Sequence, residues 1–333
     1  MMDTIYVEEA VADHPRTHEI LLRYPKARQV PIERYGDVFN APSQNFRAQK
    51  ANPALILANK QGNRVLETPP EYHIGGQHNY YFSHMLNCVY DCRYCFLQGM
   101  YRSANYVLFV NFEDFFSDIN AQSNKHDDIS WYFSGYDCDS LALEPLTGFV
   151  NLCLDHFANT PKAYLELRTK STQIRQLLNR DPLSNCVVAM SLSPDAIVRN
   201  EEHRTASLAK RLSALSELQQ MGWRIGLRFD PILAADNFTQ LYEELIDTTF
   251  RVLDPANIHS VSLGPFRLPK PFYKRMIKLY PDSKLLSAEL TSELPMVSYP
   301  KPTEQFMLNY VERRVLQFVD NDRYFPCVSI ASE

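Results

Sequence analysis

Cys88, Cys92 and Cys95 stand at Cys-x-x-x-Cys-x-x-Cys spacing within Asn87-Cys88-Val89-Tyr90-Asp91-Cys92-Arg93-Tyr94-Cys95-Phe96-Leu97-Gln98. Thiolate is the soft ligand that iron-sulfur clusters take. Three cysteines with no fourth nearby hold three corners of a four-iron cluster and leave one iron open to bind and activate a second molecule. The spacing therefore points to a chemical site rather than a structural one. Two other readings stand beside it. Zinc would need a fourth ligand such as His84 or His78, and zinc sites usually arrive as two close pairs, of which the second is missing. The third reading is three core thiols without a ligand.

The elements that must position this loop follow from periodicity. Strand-like runs are expected at 80–86, 129–133, 163–168, 187–192, 224–229 and 260–263, with helical patterns between them. The clearest helix carries Leu208, Leu212, Leu215, Leu218 and Met221 on one face and stops at Gly222. Six consecutive strand-helix units predict an α/β fold, a partial (β/α)6 TIM-like barrel whose chemistry lies at the carboxyl ends of the strands. Those ends deliver the cysteine triad, the stretch Ser134-Gly135-Tyr136-Asp137-Cys138-Asp139-Ser140, Thr169 with Lys170, Ser191 with Ser193, Arg228 with Asp230, and Gly264 with Arg267. A further strand-like run at 106–110 belongs to an excursion between the first two barrel strands. Residues 1–75 read as a small N-terminal α/β element, 76–284 as the barrel, and 285–333 as a C-terminal cap with a helix at 304–320 and a strand at 324–330.

Composition narrows the class. The 333 residues are 45% apolar and 22% charged, no run reaches the length of a membrane span, and residues 1–9 lack a basic flank and an apolar signal core. A cytoplasmic location and no membrane partner are expected. Seven cysteines, an odd number, do not read as a disulfide framework. A formal net charge of −5 argues against a sequence-independent grip on nucleic acid, so any DNA contact must be local. Around the apolar run Leu55-Ile56-Leu57-Ala58, Arg47, Lys50, Lys60 and Arg64 read as a solvated rim or a phosphate-binding edge.

With Tyr94 as the aromatic residue before the last cysteine, the triad resembles the motif of the radical S-adenosylmethionine superfamily. That resemblance implies a [4Fe-4S] cluster whose open iron chelates S-adenosyl-L-methionine. It also implies an electron donor such as flavodoxin or ferredoxin, and reductive cleavage of the cofactor to a 5′-deoxyadenosyl radical. Cys95-Phe96-Leu97-Gln98 is similar to the Cys-Tyr-Leu-Gln ending of the spore photoproduct lyase family, and Phe109-Val110-Asn111-Phe112-Glu113-Asp114 to its Tyr-Val-Asn-Leu-Asp-Asp run. Residues 139–147, Thr169-Lys170, Ser191, 222–231 and Tyr280-Pro281 fall in that family's order. The implied reaction is repair of a methylene-bridged thymine dimer in DNA: the radical abstracts hydrogen, the bridge breaks and two thymines return. The damaged pair would be drawn out of the helix into the barrel mouth. By position Tyr94, Lys170, Ser191 and Cys138 would contact the cofactor, although Lys170 also reads as a solvated strand-end lysine.

One departure concerns the hydrogen donor. The lyases carry a donor cysteine two residues before a cofactor-binding serine that is followed by aspartate. Matching Asp139 to that aspartate puts Tyr136 at the donor position and Cys138 at the serine. Cys138 by a shifted loop, Tyr136, or a different substrate are the alternatives, with Cys138 as a small buried hydrophobe beside them. Arg228 and Asp230, two apart on one strand, read as an ion pair with each other or as a clamp on ribose or phosphate. Arg267, Lys270, Lys274, Arg275 and Lys278 form a basic cluster, a candidate for DNA backbone contact. Two broader alternatives remain: a radical enzyme acting on RNA, a peptide or a metabolite, and a non-catalytic iron-sulfur or zinc DNA-binding module.

Overall fold

The computed structural model describes residues 2–293 and 295–327. The chain opens with β1 (Thr4–Glu8), α1 (Pro15–Arg23), β2 (Arg28–Ile32), α2 (Phe46–Ala51) and β3 (Leu55–Ala58). It continues through β4 (Val65–Glu67), β5 (His78–Phe82), β6 (Met85–Leu86), β7 (Asp91–Cys92), α3 (Leu97–Met100), β8 (Tyr106–Phe109) and α4 (Phe112–Ser123). β1, β2, β3 and β8 run parallel, β6 pairs antiparallel with β8, and the sheet order is β2-β1-β3-β8-β6. Residues of β3 are apolar without alternation and fully buried, as in a parallel strand covered on both faces. Its second edge needs a partner, which β8 supplies from beyond the cysteine loop. The N-terminal sheet is thus not confined to residues 1–75.

The single strand expected over 80–86 is two. Ser83 Oγ accepts the Asp137 N–H at 2.9 Å, and the ring of His84 lies flat on Phe149 with centroids 3.9 Å apart. These side chains turn the chain out of β5, and β6 leaves for the N-terminal sheet.

After α4 come β9 (Ser130–Ser134), α5 (Glu144–Thr147), α6 (Phe149–Ala158), β10 (Ala163–Thr169), α7 (Arg175–Leu178), β11 (Cys186–Ser191), α8 (Asp195–Glu201) and β12 (Glu202–His203). The remainder is α9 (Leu208–Gln220), β13 (Arg224–Ile232), α10 (Phe238–Val252), β14 (Ile258–Pro265), β15 (Arg267–Pro269), α11 (Lys270–Leu279), β16 (Thr291–Glu293), β17 (Met296–Ser298), α12 (Lys301–Val315) and β18 (Tyr324–Pro326). An eight-stranded sheet runs β18-β14-β13-β11-β10-β9-β5-β4, parallel except for the β4 edge. Five of the six strand runs expected from sequence lie in it, and of the run at 80–86 only the β5 part does, in chain order.

This sheet curls. Thr68 beside β4, Phe133 on β9, Arg168 on β10, Ser262 on β14 and Cys327 after β18 line a common pocket. His73, ahead of β5, meets Phe325 of β18 edge-on at 5.9 Å. Among the described residues no ladder joins β4 to β18, so the sheet is a partially closed half-barrel. Its interior holds Ile74, Trp131 and Val187 with Phe133, Tyr164 and Phe325 packed on them. The C-terminal expectation is corrected here: α12 is the helix, but β18 is no cap, since it extends the half-barrel sheet beside β14. Residues 328–330 of the expected strand lie outside the described residues.

On α9, Leu208, Leu212, Leu215 and Leu218 are buried as their spacing requires, whereas Met221 is 39% exposed. Gly222 adopts φ +93°, and the Trp223 N–H returns to the Leu218 carbonyl, a left-handed C-terminal stop that moves Met221 off the buried face. No helix among the described residues is long and apolar enough to cross a membrane.

Candidate active site

The loop that carries the cysteines is held from three sides. Asn87, at φ +68°, donates from Nδ2 to the carbonyls of Ser103 and Asn105 at 2.8 and 2.7 Å. β7 pairs antiparallel with β12, and the Arg93 N–H donates to the Glu201 carbonyl at 2.8 Å. From the N-terminal sheet's side, Lys50 on α2 meets Asp91 and Gln98 at 2.6 Å each, while Gln98 Nε2 donates to Asp91 at 3.1 Å. Tyr280 donates to Gln98 at 2.8 Å, and its ring carries the Arg93 guanidinium 4.0 Å above the centroid. Arg275 donates to the carbonyls of Gly99 and Met100 at 2.7 and 2.9 Å. A Cβ at Gly99 would lie 2.6 Å from the Phe272 carbonyl oxygen, so glycine is what lets α3 and α11 approach.

With the loop so placed, Cys88, Cys92 and Cys95 line one cavity of about 480 Å³ at the carboxyl ends of the half-barrel strands. Tyr94, Tyr136, Cys138, Lys170, Ser191 and Asp230 share it. The predicted cofactor and donor residues therefore converge. Among the described residues no group of three or more His, Cys, Asp or Glu gathers tightly enough to hold a single metal ion. The donor set is three free thiols around a chamber of ligand-binding size, which suits a thiolate-held cluster with a small molecule beside it. The two imidazoles weighed for zinc are elsewhere: His84 is 1% exposed and packed on Phe149, and His78 stacks on His126 at 3.5 Å. Burial pushes His84 down to about 3.

Asp139 organises the opposite wall. Its carboxylate accepts from Thr169 Oγ1 at 2.6 Å, from the Lys170 N–H at 2.7 Å, and from the Leu141 and Ala142 N–H groups at 3.0 and 2.9 Å. Lys170 Nζ then stands 5.7 Å from the Tyr94 ring centroid. Tyr94 donates to Glu202, which also receives Arg211 and, at 2.9 Å, Ser193. Burial opposes the Glu202 charge, but Lys170 and Arg211 hold its carboxyl below the usual range. Glu202 is 2% exposed and links Tyr94 of the cysteine loop to α9, a role the sequence reading missed. Its only local signal is an acidic pair ending α8.

Tyr136 is 41% exposed at the mouth, with its ring 4.5 Å from Tyr81 and 5.4 Å from Phe96. Cys138 is 9% exposed, and burial, with Asp137 and Asp139 nearby, pushes its thiol well above the ordinary range.

Two sequence expectations are corrected. Arg228 and Asp230 do not pair with each other: Arg228, fully buried, meets Glu166 at 2.7 Å and Ser260 Oγ at 2.8 Å, while Asp230 lies 3.8 Å from Arg168. Both partners come from β10, across the intervening β11, because the curled sheet turns long side chains from separate strands into one interior. The basic cluster also divides. Arg275 is turned inward to the α3 carbonyls, and Arg267 lines the cavity and donates to the Cys327 carbonyl at 2.6 Å. Lys274 and Lys278 are exposed on α11, Lys270 partly so. The rim cations around β3 are likewise engaged, Lys50 as above, Arg47 on the Lys278 and Leu279 carbonyls, Lys60 over Phe109 and Arg64 on Asp118.

The comparisons with known proteins agree with one another. A family model described as spore photoproduct lyase matches residues 1–295. The curated spore photoproduct lyase of Bacillus subtilis (strain 168) is 22% identical over 292 residues, covering 84% of this chain and 83% of the relative. That of Clostridium acetobutylicum is 23% identical over 209 residues, spanning 62% of each chain. Two solved structures superpose with TM-score 0.84 at 17% identity, covering 98% of both chains in each case. One is a spore photoproduct lyase complexed with dinucleoside spore photoproduct. The other is a mutant of such a lyase with bound AdoMet and dinucleoside spore photoproduct.

Proposed function

Because the chain belongs to the spore photoproduct lyase family, part of the radical S-adenosylmethionine superfamily, we propose that it is a DNA repair lyase that reverts methylene-bridged thymine dimers. The observation that carries this reading is the convergence of Cys88, Cys92 and Cys95 with Tyr94, Lys170 and Ser191 on one cavity at the strand ends of the half-barrel. We read that half-barrel as the six-unit TIM-like barrel in which such sites occur. A [4Fe-4S] cluster held by the three cysteines would supply the electron that cleaves S-adenosylmethionine to a 5′-deoxyadenosyl radical.

The chain's own residues do the rest. Lys170, held by Asp139 through its backbone, brings a cation beside Tyr94 where the cofactor's carboxylate is to be met. Ser191, 6% exposed, offers a hydroxyl on the same wall. Arg267 and Asp230 bound the mouth through which a displaced thymine pair would enter. Tyr136 is the favoured hydrogen donor, its exposure placing the phenol nearer to an incoming base than the buried Cys138 thiol; Cys138 then packs against the cofactor. An electron donor such as flavodoxin or ferredoxin, and a reducing cytoplasm that keeps the seven cysteines as thiols, complete the reading.

The test is one chromatographic run on reduced, anaerobically reconstituted protein with S-adenosylmethionine and a spore-photoproduct dinucleotide. Both 5′-deoxyadenosine and thymidine are expected. Deoxyadenosine without thymidine would overturn the substrate assignment and leave a radical enzyme of another substrate. In the same assay Tyr136→Phe is expected to lower thymidine by roughly 10²-fold, the scale on which loss of a positioned hydrogen-delivering side chain is felt, while deoxyadenosine still forms. If instead Cys138→Ala has that effect and Tyr136→Phe has none, the donor is Cys138.

DNA backbone contact falls to the exposed lysines of α11. Lys274→Glu with Lys278→Glu should weaken duplex binding and reduce the slope of log K against log salt by about 1 for each phosphate that is no longer neutralised. An unchanged slope would remove α11 from the interface.

A further inference from the structure

The N-terminal sheet has a binding geometry of its own. Its parallel strands run in the order β2-β1-β3, so the chain leaves β1 toward one side and arrives at β3 on the other. Open parallel sheets bind ligands outside the carboxyl ends of their strands at such a reversal, where the connections diverge and leave a crevice. The crevice is present: a cavity of about 530 Å³ lined by Glu8 from the end of β1, Arg34 and Tyr35 from beyond β2, Asn59 from beyond β3, and Phe39 and Tyr101. None of these residues belongs to the cysteine-lined mouth.

Its chemistry is selective. Glu8 is 3% exposed, and one carboxylate oxygen accepts the Asn59 N–H at 2.6 Å. Asn59 Oδ1 is buried without a hydrogen-bond partner. A buried acceptor left open in this way, beside a buried carboxylate, calls for a ligand that brings donors. Aromatic rings supply the apolar walls, with Phe39 5.0 Å from Tyr101 and 6.5 Å from Tyr35 between centroids. Arg34 is exposed at the rim, a cation of the kind that meets phosphate. Burial and the nearby Asp137, which sits between Tyr136 and Cys138 on the loop after β9, push the Tyr101 phenol up. The cavity therefore abuts the back of the proposed active site.

We propose that this crevice binds an unstacked nucleobase presenting adjacent N–H donors, guanine in particular, with Glu8 and Asn59 accepting from its edge and aromatic rings flanking its faces. Guanine offers two neighbouring donors on its Watson–Crick edge, whereas adenine and cytosine set a single amino donor beside an acceptor and thymine has a single donor. Base-on-aromatic contact is worth about 1–3 kcal/mol for any base, so the selectivity must come from the edge. The base comes either from a DNA strand, which rests on the repair reading, or from a free nucleotide, which does not.

The test is equilibrium binding to the reconstituted protein, in the absence of S-adenosylmethionine, of dGMP, deoxyinosine monophosphate, dAMP and TMP. Binding of dGMP is expected, weakened roughly tenfold or more by loss of the exocyclic amine in the inosine nucleotide and by a similar factor in Glu8→Gln. Should Glu8→Gln fail to fold, the inosine comparison on the unaltered protein decides. Equal affinity for all four nucleotides, no binding, or an unchanged affinity in well-folded Glu8→Gln would overturn the proposal. Competition by dGMP against a guanine-containing single-stranded oligonucleotide identifies the strand as the source; simultaneous binding identifies the free nucleotide. Since no turnover is read, failure here leaves the repair assay untouched, and failure of repair leaves this result standing.

Discussion

Cys88→Ala is expected to release neither 5′-deoxyadenosine nor thymidine. If the three cysteines hold the cluster as proposed, two thiolates remain where three are needed, and the reaction would lack the group that supplies its radical. The fall should exceed about 10⁶-fold, the lower end of ordinary enzymatic accelerations, and reconstituted iron and sulfide should drop with it. The variant should nevertheless fold. Asn87, Asp91, Gln98 and Gly99 pin the loop through hydrogen bonds and packing that do not involve the Cys88 thiol, and Cys88 is only partly buried. Thermal unfolding of the cluster-free proteins should therefore agree within about 1 kcal/mol. Repair that survives in Cys88→Ala would remove the triad from the chemistry; a collapsed Tm would mean that the fall in activity says nothing about it.

Glu166→Gln is expected to destabilise the fold by about 3–5 kcal/mol, because it removes one member of a fully buried pair and strands the Arg228 guanidinium inside the half-barrel. Burial alone would raise the Glu166 carboxyl, yet Arg228 and Arg168 overcome it and hold the group at about 2. An unfolded glutamate titrates near 4.3, so the folded pKa is depressed by roughly two units, or about 3 kcal/mol. That contribution is full above about pH 4.3 and is lost as pH falls toward 2. Urea unfolding across pH 2–7 should show this slope in the unaltered protein and a shallower one in Glu166→Gln. Parallel pH profiles would refute the assignment. The same layer reaches the site, since Arg168 donates to Glu166 at 2.9 Å and faces Asp230 at the mouth.

By itself the sequence determined the features that are local. The Cys-x-x-x-Cys-x-x-Cys spacing is written within eight residues, so Cys88, Cys92 and Cys95, which line one cavity, were legible as a set. Each of the six strands carries its own apolar, β-branched or aromatic run, and Lys170 and Ser191 follow from standing at or just past strand ends. Short-range rules cover all of these.

Tertiary structure decided what depends on which distant group comes near. β18 is three residues long, too short for its pattern to say whether it caps the half-barrel or joins β14. The 1–75 element needed β8, because a fully apolar β3 must be covered on both edges and both faces. Arg228 and Asp230, two residues apart, read as a pair or as a clamp on ribose or phosphate, but Glu166, 62 residues distant on β10, satisfies Arg228 across the intervening β11, a meeting inside the curled sheet that no local spacing encodes. Arg275 reads as one cation among five; only the packing of α11 on α3 turns it to the carbonyls of Gly99 and Met100. Burying a charge is costly unless it is paired, and where its partner lies is a property of the assembled fold.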